Sequence, residues 1–198
     1  MGTVGDDVLK GTSRPDVIAG LAGADVVYAG GGADVVCSGP GTDQVEGEAG
    51  DDVILGGSGS DGLFGIRDDD EIRGGGGGDL ITAEGGDEGD DRIFGGPGRD
   101  TVLNAGPGDD RLVGEEGSDL LRGSFGIDTI QGATAATFSW ARTRTTGGSE
   151  VTGRTGSTGW PVTTPCSGTA TAISCPAATG PIGPTAARGP THAPAASS

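Results

Sequence analysis

Large apolar side chains are scarce in this chain. Aromatic residues make up 4% of its 198 residues and all hydrophobic types together 32%. That is too little for the layered core of an ordinary domain of this length. Basic charge is scarcer still: 12 Lys and Arg stand against 29 Asp and Glu, a net charge of −17. This balance excludes nucleic acid and anionic membrane surfaces as partners, because both repel carboxylates, and it makes cations the complementary partner. No apolar run approaches the ~20 residues of a membrane-spanning helix, so membrane insertion is not expected. The three cysteines, Cys37, Cys166 and Cys175, are too few for a disulfide framework and match no zinc spacing. The one histidine, His192, has no plausible partners, which leaves Ser-His-Asp chemistry unsupported. The first seven residues lack the basic and apolar regions of a secretion signal. Acidity with so few aromatics would by itself suggest disorder.

What is abundant is glycine, 44 residues of it, and its placement is regular. Residues 47–64 read GEAGDDVIL and then GGSGSDGLF. Each nine-residue unit has Gly at positions one and four, Asp at six and an aliphatic residue at eight. Position-six aspartates recur at Asp7, Asp16, Asp25, Asp34, Asp43, Asp52, Asp61, Asp70 and Asp79, each nine apart. After an insertion of Ala83, Glu84 and Gly85 they resume at Asp91 and Asp100. One extra residue near Asn104 precedes Asp110, Asp119 and Asp128. Two places after these fourteen stand Leu9, Ile18, Val27, Val36, Val45, Ile54, Leu63, Ile72, Ile81, Ile93, Val102, Leu112, Leu121 and Ile130. Gly holds position four in twelve of the fourteen units; Arg14 and Asp68 are the exceptions.

Glycine at positions one, two and four permits positive φ and tight turns. The last three residues of each unit, apolar in the middle, predict a very short strand with one side chain inward and its neighbours outward. Such a strand buries nothing alone, so the units must coil and stack. The expected fold is all-β: a right-handed parallel β-roll over residues 2–131, two units per coil and roughly seven coils. Stacking then puts Asp7, Asp25, Asp43, Asp61 and Asp79 in one column and Asp16, Asp34, Asp52 and Asp70 in the other. Like charges so close repel, and the bare roll should be unstable. A hard divalent cation between coils reverses the sign of that interaction. Calcium accepts about six to eight oxygens in flexible geometry, carbonyls included, whereas magnesium demands a tighter octahedron. With no His or Cys at the ligand positions, zinc and copper are poor candidates.

The pattern resembles the glycine-rich nonapeptide repeat of the RTX family, G-G-x-G-x-D-x-aliphatic-x, and is similar to calcium-binding β-roll proteins. The resemblance covers residues 2–131. It implies a secreted protein that binds several Ca2+ ions and whose repeats, disordered without calcium, fold outside the cell. It further implies that the fourteen position-six aspartates supply side-chain oxygens and turn residues add carbonyls. The turn with Arg14 and Pro15, the turn with Asp68 and the insertion at 83–85 depart from the family's pattern, so calcium sites are not expected to be regular there. The chain is expected to be a monomer and not an enzyme; no protein or surface partner is indicated.

Competing motifs are weaker. Gly74–Gly78 is followed by no Lys-Ser/Thr and opens no helix, so it is no phosphate loop. Asp68, Asp69, Asp70 and Glu71 lack the spacing of an EF-hand. The pairs Asp51–Asp52 and Asp109–Asp110 have the composition of glycosidase carboxylates, but acids recurring through the array favour ligation. Cys37, Tyr28, Phe64 and Phe94 occupy position nine, where packing at the sheet margin is expected. Three roles remain open: a stand-alone secreted repeat protein, the export and folding module of a longer hydrolase or toxin, or an adhesive spacer. The start at a unit boundary, with Gly2 at position one, suggests an excerpt and keeps the second role open.

From Ala133 the acids almost vanish, and Thr, Ala, Pro, Ser and Gly dominate residues 132–198. One reading is a tail without fixed structure, a linker or O-glycosylated stalk. The sharper reading is a frameshifted continuation of the repeats. Thr137, Thr146, Thr155, Thr164, Ile173, Ile182 and Thr191 continue the nine-residue series from Asp128. Thr and Ile codons begin with A, and read one base earlier they include Asp codons. Cys166 and Cys175 then fall at the aliphatic position, while Gly148, Pro184 and Ala193 do not convert. Resequencing the gene across codons 128 to 140 should reveal a slip near Gly132; an unbroken frame in a verified transcript removes the idea.

Overall fold

The computed structural model describes residues 1–85, 89–132, 138–144 and 150–156. They lie in one compact unit, Met1–Pro165, and among them are strands and turns but no helix. Successive units alternate between two sheets. Val8–Lys10, Val26–Gly31, Gln44–Ala49, Gly62–Arg67 and Leu80–Thr82 stack in parallel in the first. The second has seven strands, with Val17–Ala19 at one edge and Thr129–Gln131 at the other. The expected two-unit coil is therefore present, and residues eighteen apart are neighbours.

Register stacks the position-eight residues of successive coils on one another. In one sheet Val27 pairs Val45, which pairs Leu63, which pairs Ile81. In the other, Val36, Ile54 and Ile72 do the same and Ile93, Leu112 and Ile130 continue the row. These residues form the buried core, with Leu9 packed at its open end. Val102 belongs to the row by sequence, but its side chain lies outside the described residues.

Two details of the repeat differ from the expectation. Strands such as Val53–Ser58 are six residues long rather than three, because the chain stays extended through positions one to three of the next unit. Alternation along that strand buries both Ile54 and Gly56, so positions eight and one face inward together. Positive φ occurs at positions two and four, as at Gly57 (105°) and Gly59 (135°), and not at position one. Glycine at position one answers a need for space instead. Several side-chain residues accept the left-handed backbone at position two, among them Leu21 (85°), Glu48 (78°) and Ile66 (94°).

The irregular turns keep the path by different means. At residues 65–70 Asp68 itself takes φ 68°, and its Oδ2 accepts the Gly50 N–H at 2.9 Å. At residues 11–16 the Thr12 hydroxyl accepts the Arg14 N–H at 3.2 Å and closes the turn without glycine. The insertion falls one residue later than the sequence suggests. Ala83 N–H donates to Asn104 O at 3.2 Å, the bond that Gly20 N–H makes to Cys37 O at 2.9 Å, so Ala83 holds position one. The extra residues therefore lie in the turn that follows. The extra residue near Asn104 is a bulge between Val102 and Asn104.

Beyond Gly132, Phe138–Arg144 adds in parallel to Leu120–Phe125, with Leu120 opposite Phe138. Glu150–Gly156 then pairs with it antiparallel. The open edge of Leu120–Phe125 supplies donors and acceptors for this addition, so two strands stand inside a segment whose composition suggests a linker. The spacing from Leu120 to Phe138 equals one coil. Of the Thr137 series only Thr155 is described, opposite Ser139 in Glu150–Gly156; Thr137, Thr146, Thr164, Ile173, Ile182 and Thr191 lie outside the described residues, as do Cys166, Cys175 and His192.

Leu, Glu and Ile are strained at φ values near those of Leu21, Glu48 and Ile66. Ile66→Gly removes that strain but adds freedom to the unfolded chain, for a net gain of about 0.5–1 kcal/mol. Thermal denaturation in saturating calcium chloride should show the variant melting above the parent.

Candidate metal centre

The position-six aspartates are placed by the turn that precedes each strand, and all face inward. Asp25, Asp34, Asp43, Asp52, Asp61, Asp70, Asp79, Asp91, Asp100, Asp110 and Asp119 are at most 3% exposed. They form the two expected columns. Down one, the N–H groups of Asp7, Asp25, Asp43, Asp61, Asp79 and Asp100 each donate to Oδ1 of the next aspartate, ending at Asp119. Down the other, Asp16, Asp34, Asp52, Asp70, Asp91 and Asp110 do the same, ending at Asp128. Distances run from 2.7 Å at Asp16–Asp34 to 3.2 Å at Asp110–Asp128.

That arrangement satisfies one oxygen of each carboxylate after Asp7 and Asp16, which begin the columns as donors only. The other, Oδ2, is buried without a hydrogen-bond partner in Asp25, Asp34, Asp43, Asp52, Asp61, Asp70, Asp79, Asp100, Asp110, Asp119 and Asp128. An ionised oxygen in that state is costly unless a cation or a proton meets it. The position-one glycine marks where it points. A Cβ built on Gly47 would lie 2.5 Å from Asp52 Oδ2 and 2.8 Å from the carbonyl oxygen of Gly65, one coil on. On Gly95 it would lie 2.5 Å from Asp100 Oδ2 and 3.0 Å from Gly114 O. On Gly56 it would lie 2.5 Å from Gly74 O and 2.9 Å from Asp61 Oδ2. Each such corner thus gathers a carboxylate oxygen and a carbonyl oxygen around space that glycine alone leaves open. Hard oxygen donors in a flexible turn suit calcium, so the residues present fit the ion.

Among the described residues no three His, Cys, Asp or Glu side chains converge on a single point. Each corner offers one carboxylate oxygen of its own coil, and backbone carbonyls make up the donors beside it.

The first two aspartates differ. Asp7 Oδ2 accepts the Thr3 N–H at 2.6 Å and the Thr3 hydroxyl at 2.9 Å. Asp16 Oδ2 accepts the same pair from Thr12 at 2.7 and 2.8 Å. Their second oxygens are therefore satisfied without a metal. The sequence reading missed this, although Thr at position two of only these early units was its visible signal.

It also missed a second, exposed ladder at position five. Asp69 N–H donates to Asp51 Oδ1 at 3.2 Å, Asp90 N–H to Asp69 Oδ1 at 2.8 Å and Asp109 N–H to Asp90 Oδ1 at 2.7 Å. In the pairs Asp51–Asp52 and Asp109–Asp110 the first member is exposed and the second buried.

Burial is the leading cause of the shifted acidities, ahead of the mutual repulsion expected from the columns. It pushes Asp70 and Asp91 up to about 8, Asp52 and Asp110 to about 7, and Asp61, Asp100 and Asp128 to about 6. The inter-coil N–H bond opposes the rise, and neighbouring carboxylates add to it; Asp51 and Asp68, for example, both act on Asp70. Asp34, Asp79 and Asp119 are raised as well.

The fold and its corners define a class: a parallel β-solenoid lined by inward carboxylates that lack a counter-charge. The family follows. The RTX calcium-binding nonapeptide repeat, a model of four copies, matches residues 1–36, 38–65, 64–88, 86–102 and 102–130. The chain belongs to that family, and such repeats in a β-solenoid imply calcium binding. A search of curated proteins found no match.

A carboxylate whose folded value exceeds its unfolded value of 3.8 takes up protons on folding. Metal-free roll should therefore gain stability as pH falls from about 8 towards 4, and lose it as pH rises through the same window. Calcium competes with those protons, so its affinity should fall over the interval in which the metal-free form is strengthened. Circular dichroism in chelator and in calcium chloride, at a series of pH values, should show opposite slopes.

Proposed function

We propose that this chain is a secreted calcium-dependent folding module. Position-six aspartates hold several Ca2+ ions at the corners of the roll, together with backbone carbonyls of adjacent coils. The observation that carries this reading is the row of buried Oδ2 atoms without partners, eight of which stand beside a glycine-walled corner: those of Asp25, Asp52, Asp61, Asp70, Asp79, Asp100, Asp119 and Asp128. One aliphatic side chain per unit makes a thin core, so ion binding must supply much of the folding free energy. In the low-calcium interior of a cell the carboxylates stay unpaired and the chain favours an unfolded, exportable form. Outside, calcium at about 10⁻³ M is within reach of weak extracellular sites and drives the coils together.

The open ligands are Asp25, Asp52, Asp61, Asp70, Asp79, Asp100, Asp119 and Asp128, whose position-one residues are glycines. Asp91 lies in the column with them, beside the insertion. Asp7 and Asp16 contribute less, since Thr3 and Thr12 already hold their second oxygens. In this role the chain performs no catalysis of its own and meets calcium as a monomer.

Titration with calcium chloride should produce a cooperative gain of β signal; no change up to ~10 mM would sink the proposal. Asp70→Asn separates the two effects of the carboxylate. It removes a buried charge, so the metal-free form should gain β content at pH 8. It also removes a ligand charge, so the calcium midpoint should rise roughly tenfold. If the metal-free form gains β content while the calcium midpoint stays put or falls, Asp70 is not a ligand.

A further inference from the structure

The glycine at position one is replaced in three units of nine residues, by Ala29, by Ser38 and by Ala105; Ala83 takes that place in the unit lengthened by the insertion. Ala29, Ser38 and Ala105 are fully buried. Their places in the repeat match those of Gly47, Gly56 and Gly95, where a Cβ would come within 2.5 Å of an oxygen that frames the open corner. Real Cβ atoms do not stand that close to oxygen. Where one is present, the carboxylate and the carbonyl of the next coil must be held apart, and the corner between them is filled. Ser38 goes further. Its hydroxyl donates to Gly56 O at 2.6 Å, the carbonyl that corresponds to Gly65 O at the Gly47 corner. A proton on Ser38 Oγ thus takes the acceptor that a cation would otherwise use.

We propose that Ala29, Ser38 and Ala105 are built-in plugs, so that the chain carries a gapped calcium ladder instead of one site at every corner. The inference rests on the calcium reading above and names the corners that reading cannot use: those of Asp34, Asp43 and Asp110. Ala29 and Ser38 stand in consecutive units, one in each column. With the Thr3 and Thr12 bonds to Asp7 and Asp16, they leave Asp25 as the one open corner among the first five units. The N-terminal coils are consequently held by side-chain hydrogen bonds and methyl packing, and the ions are concentrated from Asp52 onward. The unpartnered Oδ2 of Asp34, Asp43 and Asp110 does not by itself mark an ion site, because the paired carbonyl is withdrawn from the same space.

The test is the number of bound ions, counted by native mass spectrometry and by isothermal titration with calcium chloride on the full chain. Ser38→Gly and Ala29→Gly should each bind one more calcium than the parent. Gly56→Ala, which places a methyl 2.5 Å from Gly74 O and 2.9 Å from Asp61 Oδ2, should bind at least one fewer. Gly62→Ala, whose nearest new neighbour is the Phe64 ring at 3.4 Å, should bind the parental number. Far-UV dichroism at saturating calcium checks that each variant is folded. If the parent binds calcium and both Ser38→Gly and Ala29→Gly bind the same number, the plugs are overturned while calcium binding stands. If the parent binds none, the calcium reading itself fails.

Discussion

A carboxylate buried once in every half-coil is the constraint on which the rest of this structure depends. The group is placed inside because the turn before each strand brings position six under the sheet edge. Its Oδ1 is accounted for by the N–H of the aspartate one coil earlier. Its Oδ2 is not, and a roll with so little apolar surface has nothing in reserve to offset that cost. At Asp7 and Asp16 the threonines Thr3 and Thr12 answer it with hydrogen bonds; at the buried corners that follow, a proton or a cation is needed.

The core and the carboxylates are separate systems sharing one backbone. Positions eight and one face the same interior, so the aliphatic row and the carboxylate corners are adjacent by alternation of the strand. That adjacency explains why glycine at position one matters although its backbone is ordinary. It also explains why the raised acidities come first from burial: each carboxylate sits at the margin of the same dry interior that shelters Ile54 and Leu63.

Much of this was legible in the sequence. The nine-residue period with Asp and aliphatic residues in fixed places gave the two-unit coil, both columns and the buried row, since periodicity specifies which residues stack. What spacing could not convey was direction and local exchange of partners. It did not reveal that position one supplies room while positions two and four supply positive φ, because glycine looks identical in either role. Nor did it reveal that Thr3 and Thr12 complete Asp7 and Asp16, or that the position-five acids Asp51, Asp69, Asp90 and Asp109 make their own outer ladder. Those depend on which neighbour a polar atom meets one coil away. The insertion was located to within a residue of its place, since Ala83 retains the backbone bond of position one.

Along the position-six columns the bonds all point one way: the N–H of an earlier aspartate donates to the carboxylate of a later one, while the position-five ladder runs in the opposite sense. A stack with such polarity has two unlike ends. The leading end always presents a bare N–H that only a further coil can answer, as a crystal face presents its next lattice point. Lengthening or shortening the array by whole coils therefore demands no new chemistry, and the gene can vary in length by repeat duplication while every interior contact is copied unchanged.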